Sequence, residues 1–312
     1  MRVAVTGAGG RLGRALVEAL GDAPFTGLGG PLPWARPEFD LDDPGAFAAL
    51  LDRHRPEAVV HAAAWTDVDW CAREPDLALA RNGTAAGVLA HDCAERGIDL
   101  VLVSTNEVFD GLRTDGLGYG PDDPPSPPNA YGTSKLAGEE AARAAYASVG
   151  TGVAVGEGAR VPQLAIVRTA WLYGPPGGDF PTKILAAADR AIAAGEPVRA
   201  VADEWGTPTY AADLADAITE LVWSGAFAGL HHIVNGGIAS RADWARAILG
   251  GAGVDVPVVD VPASTWRRDS TPPAWAVLAP TPLPGGRPLR PWQMALADYL
   301  PALLRSRTEA HG

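Results

Sequence analysis

The chain has 312 residues, of which 47% are hydrophobic and 20% are charged. These proportions are typical of a globular protein with a buried core, in one large α/β domain or two moderate ones, and they exclude a collagen-like or wholly disordered chain. The formal net charge of −12 excludes the basic surface that nucleic acids and anionic membranes require, so an anionic substrate needs a local cationic site.

The first half of the chain alternates short apolar strands with helices. Strands are predicted over residues 3–6, 24–28, 58–64, 100–104 and 164–169, and helices over residues 12–20, 44–53, 75–95 and 130–146. Asn129 is the expected N-cap of the last of these helices. Near-continuous apolar strands separated by helices predict a parallel sheet covered on both faces, which is a doubly wound α/β fold of the Rossmann type.

The second half has a looser pattern, which predicts a smaller, mixed α/β C-terminal lobe. Helices are predicted over residues 180–194, 211–223, 241–249 and 292–304, and strands over residues 198–202 and 230–234. We expect a dinucleotide-binding domain over residues 1–170, to which residues 207–230 return, and a substrate-binding lobe over residues 171–312. Residues 148–163 are rich in glycine and weakly patterned, and they are interpreted as a flexible insertion.

The chain shows no pattern typical of export or of metal binding. It begins with the strand sequence MRVAVTG, without a long apolar stretch behind a charged segment, so no signal peptide or transmembrane helix is expected. Cys71 and Cys93 have neither the number of a disulfide framework nor the spacing of a zinc site. We therefore expect unpaired thiols, a cytoplasmic location and no bound metal.

The segment TGAGGRLG places Gly7, Gly10 and Gly13 between the first strand and the first helix. Gly7 allows a tight turn, Gly10 lets the backbone approach a pyrophosphate, and Gly13 permits close packing of the helix on the strand. Glycine patterns also arise by chance in a glycine-rich chain. This position, directly after a strand and opening a helix, is the one that dinucleotide binding requires.

Tyr131 and Lys135 occupy positions i and i+4 of a predicted helix, so their side chains share a face. An ammonium group near a phenol favours the phenolate and is expected to lower the tyrosine pKa from about 10. Such a tyrosine can exchange a proton with a substrate hydroxyl or carbonyl group. An accidental pair on a solvated helix is the alternative, but a chain with six tyrosines and two lysines rarely produces one.

Thr105 lies where the predicted strand at 100–104 ends. This is the carboxyl edge of the sheet, where doubly wound folds bind ligands. We expect the Thr105 hydroxyl to hydrogen-bond a substrate oxygen while Tyr131 delivers a proton. Taken alone, Thr105 is explained equally well as a strand-end cap.

These three motifs, in this order and spacing, resemble the extended short-chain dehydrogenase/reductases. A finer similarity is to the dTDP-4-dehydrorhamnose reductase family of nucleotide-sugar 4-ketoreductases, in the segments AAAWTDVDWCAREP (62–75), STNEVFDG (104–111), RTAWLYG (168–174), EWGTPTYAADLA (204–215) and LRPWQMALADYL (289–300). The resemblance covers nearly the whole chain. It implies reduction of a 4-keto nucleotide sugar to a 4-hydroxy deoxysugar, with hydride from NADPH or NADH and a proton from Tyr131.

The resemblance also implies roles for individual residues. The catalytic residues are Thr105, Tyr131 and Lys135. The cofactor-binding residues are the glycine turn with Arg11 and Leu12, then Asp40 and Leu41 near the adenine, Ala62, Ala63 and Ala64 along the groove, and Asn82, Tyr131 and Lys135. The substrate-binding candidates are Thr105, Asn106, Glu107, Trp171 and Trp205. The expected partner is the nucleotide-sugar substrate, and a homodimer is left open.

Two residues depart from the reductase pattern. Asn106 and Glu107 stand where the reductases have Asp and Tyr, and Thr105-Asn106-Glu107 looks more like the Thr-Asp-Glu of dTDP-glucose 4,6-dehydratases. A dehydratase or epimerase that uses Glu107 therefore stays open, with a noncatalytic regulatory subunit as a farther alternative. The segments at 62–75, 204–215 and 289–300 favour reduction. We then expect Glu107 to lie in the substrate pocket rather than on a solvated loop.

The expected cofactor is NADPH in preference to NADH. An NAD-selective site usually has an acidic residue about 20 positions after the glycines, where it binds the ribose 2′-hydroxyl. The chain has no Asp or Glu between Asp22 and Glu38, whereas Arg11 and Arg36 are available for a 2′-phosphate.

Overall fold

The computed structural model describes residues 1–152 and 161–311, so the centre of the predicted insertion at 148–163 lies outside the described residues. In chain order the strands are β1 (Val3–Thr6), β2 (Leu32–Trp34), β3 (Ala58–His61), β4 (Asp99–Thr105), β5 (Leu164–Thr169), β6 (Leu172–Tyr173), β7 (Val198–Val201), β8 (Trp205–Gly206), β9 (Thr209–Tyr210), β10 (Gly229–His232), β11 (Ala239–Ser240) and β12 (Val258–Val261). The α-helices are α1 (Arg11–Asp22), α2 (Phe47–His54), α3 (Val68–Arg73), α4 (Pro75–Ala78), α5 (Ala85–Glu95), α6 (Ala130–Gly152), α7 (Phe180–Ala194), α8 (Ala211–Ser224), α9 (Arg241–Gly251) and α10 (Trp292–His311).

Six of these strands form one parallel sheet in the order β2-β1-β3-β4-β5-β10. The direction of the strand order reverses between β1 and β3, and open α/β sheets bind their ligands at the carboxyl ends of the strands at such a point. This architecture confirms the predicted doubly wound fold.

The sheet is covered by helices on both faces because successive side chains of a strand point in opposite directions. Val3 and Val5 of β1 pack with the apolar side of α1 and with α8. Ala4, between them, belongs to the opposite core, which is filled by side chains of α2, α5 and α6. Because both faces of the sheet are buried, the side chains on both sides of these strands are mainly apolar, and the strand sequences are therefore nearly continuous apolar runs.

The chain returns to the sheet after it has begun the smaller lobe. Helix α8 packs against α1, and β10 adds the last parallel strand beside β5. The smaller lobe has its own apolar core, formed by side chains of α7, α9 and α10 around the buried indole of Trp244. Short strand pairs, β7 with β12, β8 with β11 and β6 with β9, complete it.

Several predicted boundaries differ from those of the structure. The strand predicted over 24–28 is wrong, because residues Pro24–Gly29 form a 3₁₀ helix in which Gly27 has a φ of 67°, and the second strand is β2. The helix predicted over 75–95 is interrupted by a π-helical turn at Leu79–Thr84. The helix predicted to end near residue 146 continues to Gly152 as α6.

Candidate active site

The glycine turn connects β1 to α1. The amide of Gly10 donates to the carbonyl oxygen of Gly7 at 2.8 Å. A Cβ atom at Gly13 would lie 2.0 Å from that same carbonyl oxygen, so no other residue permits this approach of helix and strand. The first turn of α1 has no acidic residue and no side-chain cap. Its amide groups are therefore available to an anion, and the turn fits the pyrophosphate of a dinucleotide.

Arg11 and Leu12 line the cleft that begins at this turn. The Arg11 guanidinium donates from Nε to the carbonyl of Gly174 at 2.9 Å and from its terminal nitrogen to the carbonyl of Gly177 at 2.7 Å. Arg11 thus joins the glycine turn to the loop after β6, and it places a positive charge at the cleft.

The residues expected around the adenine and along the groove lie after β2 and β3, on either side of β1. Asp40 accepts a hydrogen bond from the Asp42 amide at 3.1 Å, and Leu41 packs against the core under α2 and α5. Ala62 lines the cleft. The Ala63 amide donates to the Thr6 hydroxyl at 3.1 Å, and Ala64 is half-buried.

Thr105, Tyr131 and Lys135 meet in one cleft of about 1170 Å³. Thr105 is the last residue of β4, and Tyr131 is the second residue of α6, with Lys135 one helical turn later. All three side chains are buried in the walls of the cleft. The sheet edge therefore brings Thr105 together with the Tyr131 and Lys135 pair, which was predicted from a separate motif.

The Tyr131 phenol is held in its protonated form. Burial raises the pKa of Tyr131 well above its usual range, and the negative charge of Glu107 raises it further, while the Thr105 hydroxyl lowers it. The predicted lowering of this pKa by Lys135 is wrong here, because burial outweighs the other effects and Lys135 is not among the groups that shift the phenol. The Lys135 ammonium instead donates to the carbonyl of Val103 at 2.7 Å. A neutral phenol carries the proton that a general acid must donate.

Lys135 has an unusual protonation equilibrium for a lysine. Burial lowers the pKa of Lys135 to about 8, and the negative charge of Glu139 partly offsets that lowering. The charged form is therefore present below about pH 8 and is lost above it, whereas an ordinary lysine keeps its proton until about pH 10.4.

We expect kcat/KM for the cofactor to be flat below about pH 8 and to fall by one log unit per pH unit above it. The reason is that deprotonation removes the positive charge of Lys135 and one of its three N–H donors, and the carbonyl of Val103 already uses one of these donors. Initial rates between pH 6 and pH 10 measure this profile, and a profile that is flat to pH 10 would contradict it.

Asn82 supports Tyr131 from behind and is not among the cleft-lining side chains of the described chain. Its Nδ2 donates to the Ser134 hydroxyl at 3.1 Å and to the carbonyl of Trp65 at 2.9 Å, and its Oδ1 accepts from the amide of Trp65 at 2.8 Å. Asn82 lies in the π-helical turn, a feature that is frequent at functional sites. It links α6 to the segment after β3.

Asn106 and Glu107 follow Thr105 in a 3₁₀ turn and line the same cleft. The Asn106 Nδ2 donates to the carbonyl of Ala276 at 3.0 Å, and its Oδ1 accepts from Thr105 Oγ1 at 3.2 Å. Burial raises the pKa of Glu107, against hydrogen bonding by Asn129 and the charge of Arg241, which lower it. Glu107 is thus a pocket carboxyl group and not a solvated loop residue.

The two tryptophans proposed for the substrate differ in position. Trp171 lines the cleft and has a φ of 43°, and the Arg241 guanidinium lies 3.5 Å from the centre of its ring. Backbone strain of this kind is concentrated at functional sites. Trp205 is absent from the described cleft lining and instead packs against Trp275, with ring centroids 6.1 Å apart.

The sequence analysis missed a group of cations that line the cleft from the smaller lobe: Lys183, Arg199, Arg241 and Arg268. They come from α7, β7, α9 and the segment after Ala263–Thr265, so no local spacing connects them. Glu204 neutralises part of this charge through an ion pair with Arg268 at 2.7 Å. In a chain with a net charge of −12, an anionic substrate needs a local cationic site, and this group of cations is the candidate for it.

Residues 1–152 and 161–311 were predicted to contain neither a membrane-spanning helix nor a metal site. None of the helices described there is both long and apolar enough to cross a membrane. That part of the chain also holds no cluster of three or more His, Cys, Asp or Glu side chains arranged to bind a metal ion.

Residues 1–305 match the family described as the RmlD substrate binding domain. The chain belongs to this family. It is 35% identical to the dTDP-4-dehydrorhamnose reductase of Mycolicibacterium smegmatis, over 99% of this chain and 88% of the relative. It is 37% identical to the dTDP-4-keto-6-deoxy-D-glucose reductase of Streptomyces niveus, over 96% of both chains.

A solved structure extends this similarity to three dimensions. The dTDP-4-dehydrorhamnose reductase of Bacillus anthracis in complex with NADP superposes with a TM-score of 0.82 and 30% identity. The superposition covers 96% of this chain and 98% of the other. The family predicted from the motifs is therefore confirmed over residues 1–305.

Proposed function

We propose that this protein reduces the 4-keto group of a nucleotide sugar to a hydroxyl group at the expense of NADPH. The observation that carries this conclusion is that Thr105, Tyr131 and Lys135 line one cleft together with Arg11 and Leu12 of the glycine turn. Reductases of dTDP-linked 4-keto sugars are the relatives that match the chain end to end, and a solved relative binds NADP.

In this proposal, different residues of the cleft bind the cofactor, contact the keto oxygen and position α6. The glycine turn holds the pyrophosphate of the cofactor, and Lys135 holds its ribose. The Thr105 hydroxyl turns its single donor from Asn106 to the keto oxygen, and the Tyr131 phenol protonates this oxygen as it becomes an alkoxide. The bound nicotinamide supplies the hydride. Asn82 positions α6 through Ser134, one turn from Tyr131.

The two lobes share the ligands in this proposal. Residues 1–170, with 207–230, hold the cofactor, and the rest of residues 171–312 hold the sugar nucleotide. The cations of the smaller lobe, Lys183, Arg199, Arg241 and Arg268, face the substrate diphosphate across the cleft. Trp171 and Glu107 contact the sugar ring, because they line the cleft beside Thr105 and Tyr131.

A cytoplasmic location remains part of the proposal, and the oligomeric state stays open between a monomer and a homodimer. The buried, unpaired thiols of Cys71 and Cys93 support the first, because reduced thiols are typical of cytoplasmic proteins. Sedimentation of the purified protein measures the second directly.

The deciding experiment is a panel of nucleotide sugars scored by the loss of NADPH absorbance. We expect stoichiometric consumption of NADPH with a 4-keto-6-deoxy sugar and none with its 4-hydroxy counterpart. If no 4-keto sugar is reduced, the proposal fails. If a 4-hydroxy sugar is converted to a 4-keto-6-deoxy product without net consumption of NADPH, the dehydratase alternative replaces it.

We further expect kcat/KM to be higher with NADPH than with NADH. Arg36 is exposed two residues after β2, and the carboxylate of Asp42 is already paired with Arg81 through two hydrogen bonds of 2.6 Å. Arg36→Ala should raise the KM for NADPH by about 10-fold, the effect of one lost phosphate contact of ~1.4 kcal/mol, and leave the KM for NADH unchanged. Arg53→Ala, an exposed arginine on α2, is the matched control. A wild-type preference for NADH would contradict the assignment.

A further inference from the structure

The start of α6, the helix that carries Tyr131, fixes the position of Glu107. A Cβ atom at Gly132 would lie 2.0 Å from the carbonyl oxygen of Glu107, so the 3₁₀ turn and the helix are in close contact. Asn129 Nδ2 donates to Glu107 Oε2 at 2.7 Å, while Asn129 Oδ1 accepts from the Gly132 amide at 2.8 Å. One asparagine therefore caps the helix of Tyr131 and holds the Glu107 carboxylate.

The position of this carboxylate leaves one oxygen available to a ligand. Among the hydrogen bonds of the described residues, Oε2 of Glu107 accepts from Asn129, and Oε1 accepts none. The side chain lines the cleft. Its charge also acts on the phenol, because Glu107 raises the pKa of Tyr131. The Glu107 carboxylate thus shares the cleft with Thr105 and Tyr131, the groups proposed to contact the keto oxygen.

This arrangement has a chemical consequence for a bound ketone. Hydrogens on the carbons adjacent to a ketone are acidic, because the electron pair left behind moves onto the ketone oxygen as an enolate. Thr105 and Tyr131 stabilise negative charge on that oxygen whether it arises from reduction or from enolisation. A base within reach of the adjacent carbon is the remaining requirement, and burial raises the pKa of Glu107, which makes its carboxylate a stronger base.

We propose that Glu107 removes and returns a proton on a carbon next to the keto group, so that the protein exchanges this hydrogen with solvent as an activity separate from reduction. The inference rests on the proposed function, because it needs the 4-keto sugar in the cleft. The C–H bond breaks as the Glu107 O–H bond forms, and the electron pair goes to the keto oxygen. The reverse step regenerates the ketone, so the exchange needs no oxidant or reductant.

The test uses the full-length protein with NADP⁺ and dTDP-4-keto-6-deoxyglucose in D₂O, without NADPH. We expect deuterium at one carbon next to the keto group, detected by proton NMR and mass spectrometry. Its incorporation should be at least ~10²-fold faster than in an enzyme-free sample, which is the contribution typical of a positioned general base. Glu107→Gln should lose this acceleration even at saturating sugar, whereas its NADPH-dependent reduction should be weakened mainly through a higher KM for the sugar, because the variant also alters a proposed sugar contact.

Two further variants separate a base from a merely structural residue. Glu107→Asp keeps a carboxylate and should retain measurable exchange, whereas Glu107→Gln should show none. Both variants should bind NADPH equally. Asp69→Asn removes another cleft carboxylate, whose Oδ1 already accepts from Ser270 at 2.8 Å, and it should leave the ratio of exchange to reduction unchanged.

The possible outcomes are distinguishable. Reduction without exchange above the enzyme-free rate overturns the inference and leaves the proposed function standing. Equal exchange by Glu107→Gln and wild type also overturns it, since the base would then be another group. Absence of both reduction and exchange in the wild type refutes the proposed function and the inference together.

Discussion

Tyr131→Phe should lower kcat by ~10²-fold or more, because it removes the hydroxyl group that is proposed to protonate the keto oxygen. The phenol lines the cleft, and burial together with the charge of Glu107 raises its pKa, so the proton is present at neutral pH. Phenylalanine keeps the ring in its apolar contacts with Cys71 and Ala78. Steady-state rates with the best substrate of the panel measure the loss.

The binding of NADPH should be nearly unchanged in Tyr131→Phe, and fluorescence titration checks this point. Tyr119→Phe is the matched control, because Tyr119 is another buried tyrosine, whose hydroxyl donates to Asp110 at 2.6 Å and which is not among the described cleft-lining residues. It should keep most of the wild-type kcat. A Tyr131→Phe enzyme that also keeps most of its rate would remove Tyr131 from the mechanism.

The cofactor half of the site was predictable because its determinants are local in the sequence. Glycines at positions 7, 10 and 13 directly follow an apolar strand, and Tyr131 and Lys135 are one helical turn apart. Helical spacing and the geometry of a strand-to-helix turn therefore fixed their relative positions. The second strand was misplaced because Pro24–Gly29 is apolar enough to resemble a short strand.

The cationic part of the candidate substrate site was not predictable, because long-range packing assembles it. Lys183, Arg199, Arg241 and Arg268 converge on the cleft from separate elements. Long-range packing also explains why the predicted direction of the Tyr131 pKa shift was wrong. The i, i+4 spacing places an ammonium near the phenol, but only the folded structure shows that Lys135 donates to Val103 and that burial decides the pKa of Tyr131.

We expect a large loss of stability when the buried ion pair between Glu139 and Arg168 is broken. This pair lies under the candidate active site. Both side chains are almost fully buried. The Glu139 carboxylate accepts from Arg168 at 2.9 and 2.7 Å and from the Ser104 hydroxyl at 2.6 Å. Glu139 lies one helical turn after Lys135, and Ser104 precedes Thr105, so this pair joins α6 to β4 and β5 directly behind the catalytic residues.

Glu139→Ala should lower the free energy of unfolding by ~3–5 kcal/mol, because it leaves the charge of Arg168 buried without its partner. Arg143→Ala removes only the half-exposed partner of the same carboxylate, and its cost should stay at or below ~1 kcal/mol. Urea unfolding followed by circular dichroism compares the two variants.

Replacing both buried charges separates the cost of an unpaired ion from the value of the pair. The double variant Glu139→Leu with Arg168→Met should recover most of the stability lost in Glu139→Ala, since a well-packed apolar pair is often as stable as a buried ion pair. The double variant should not have the wild-type kcat. The Ser104 hydroxyl lacks its acceptor beside Thr105, and Lys135 lacks the negative charge that favours its ammonium form. If stability and rate return together, the pair contributes to folding alone; if neither returns, the carboxylate is required for packing as well as for charge.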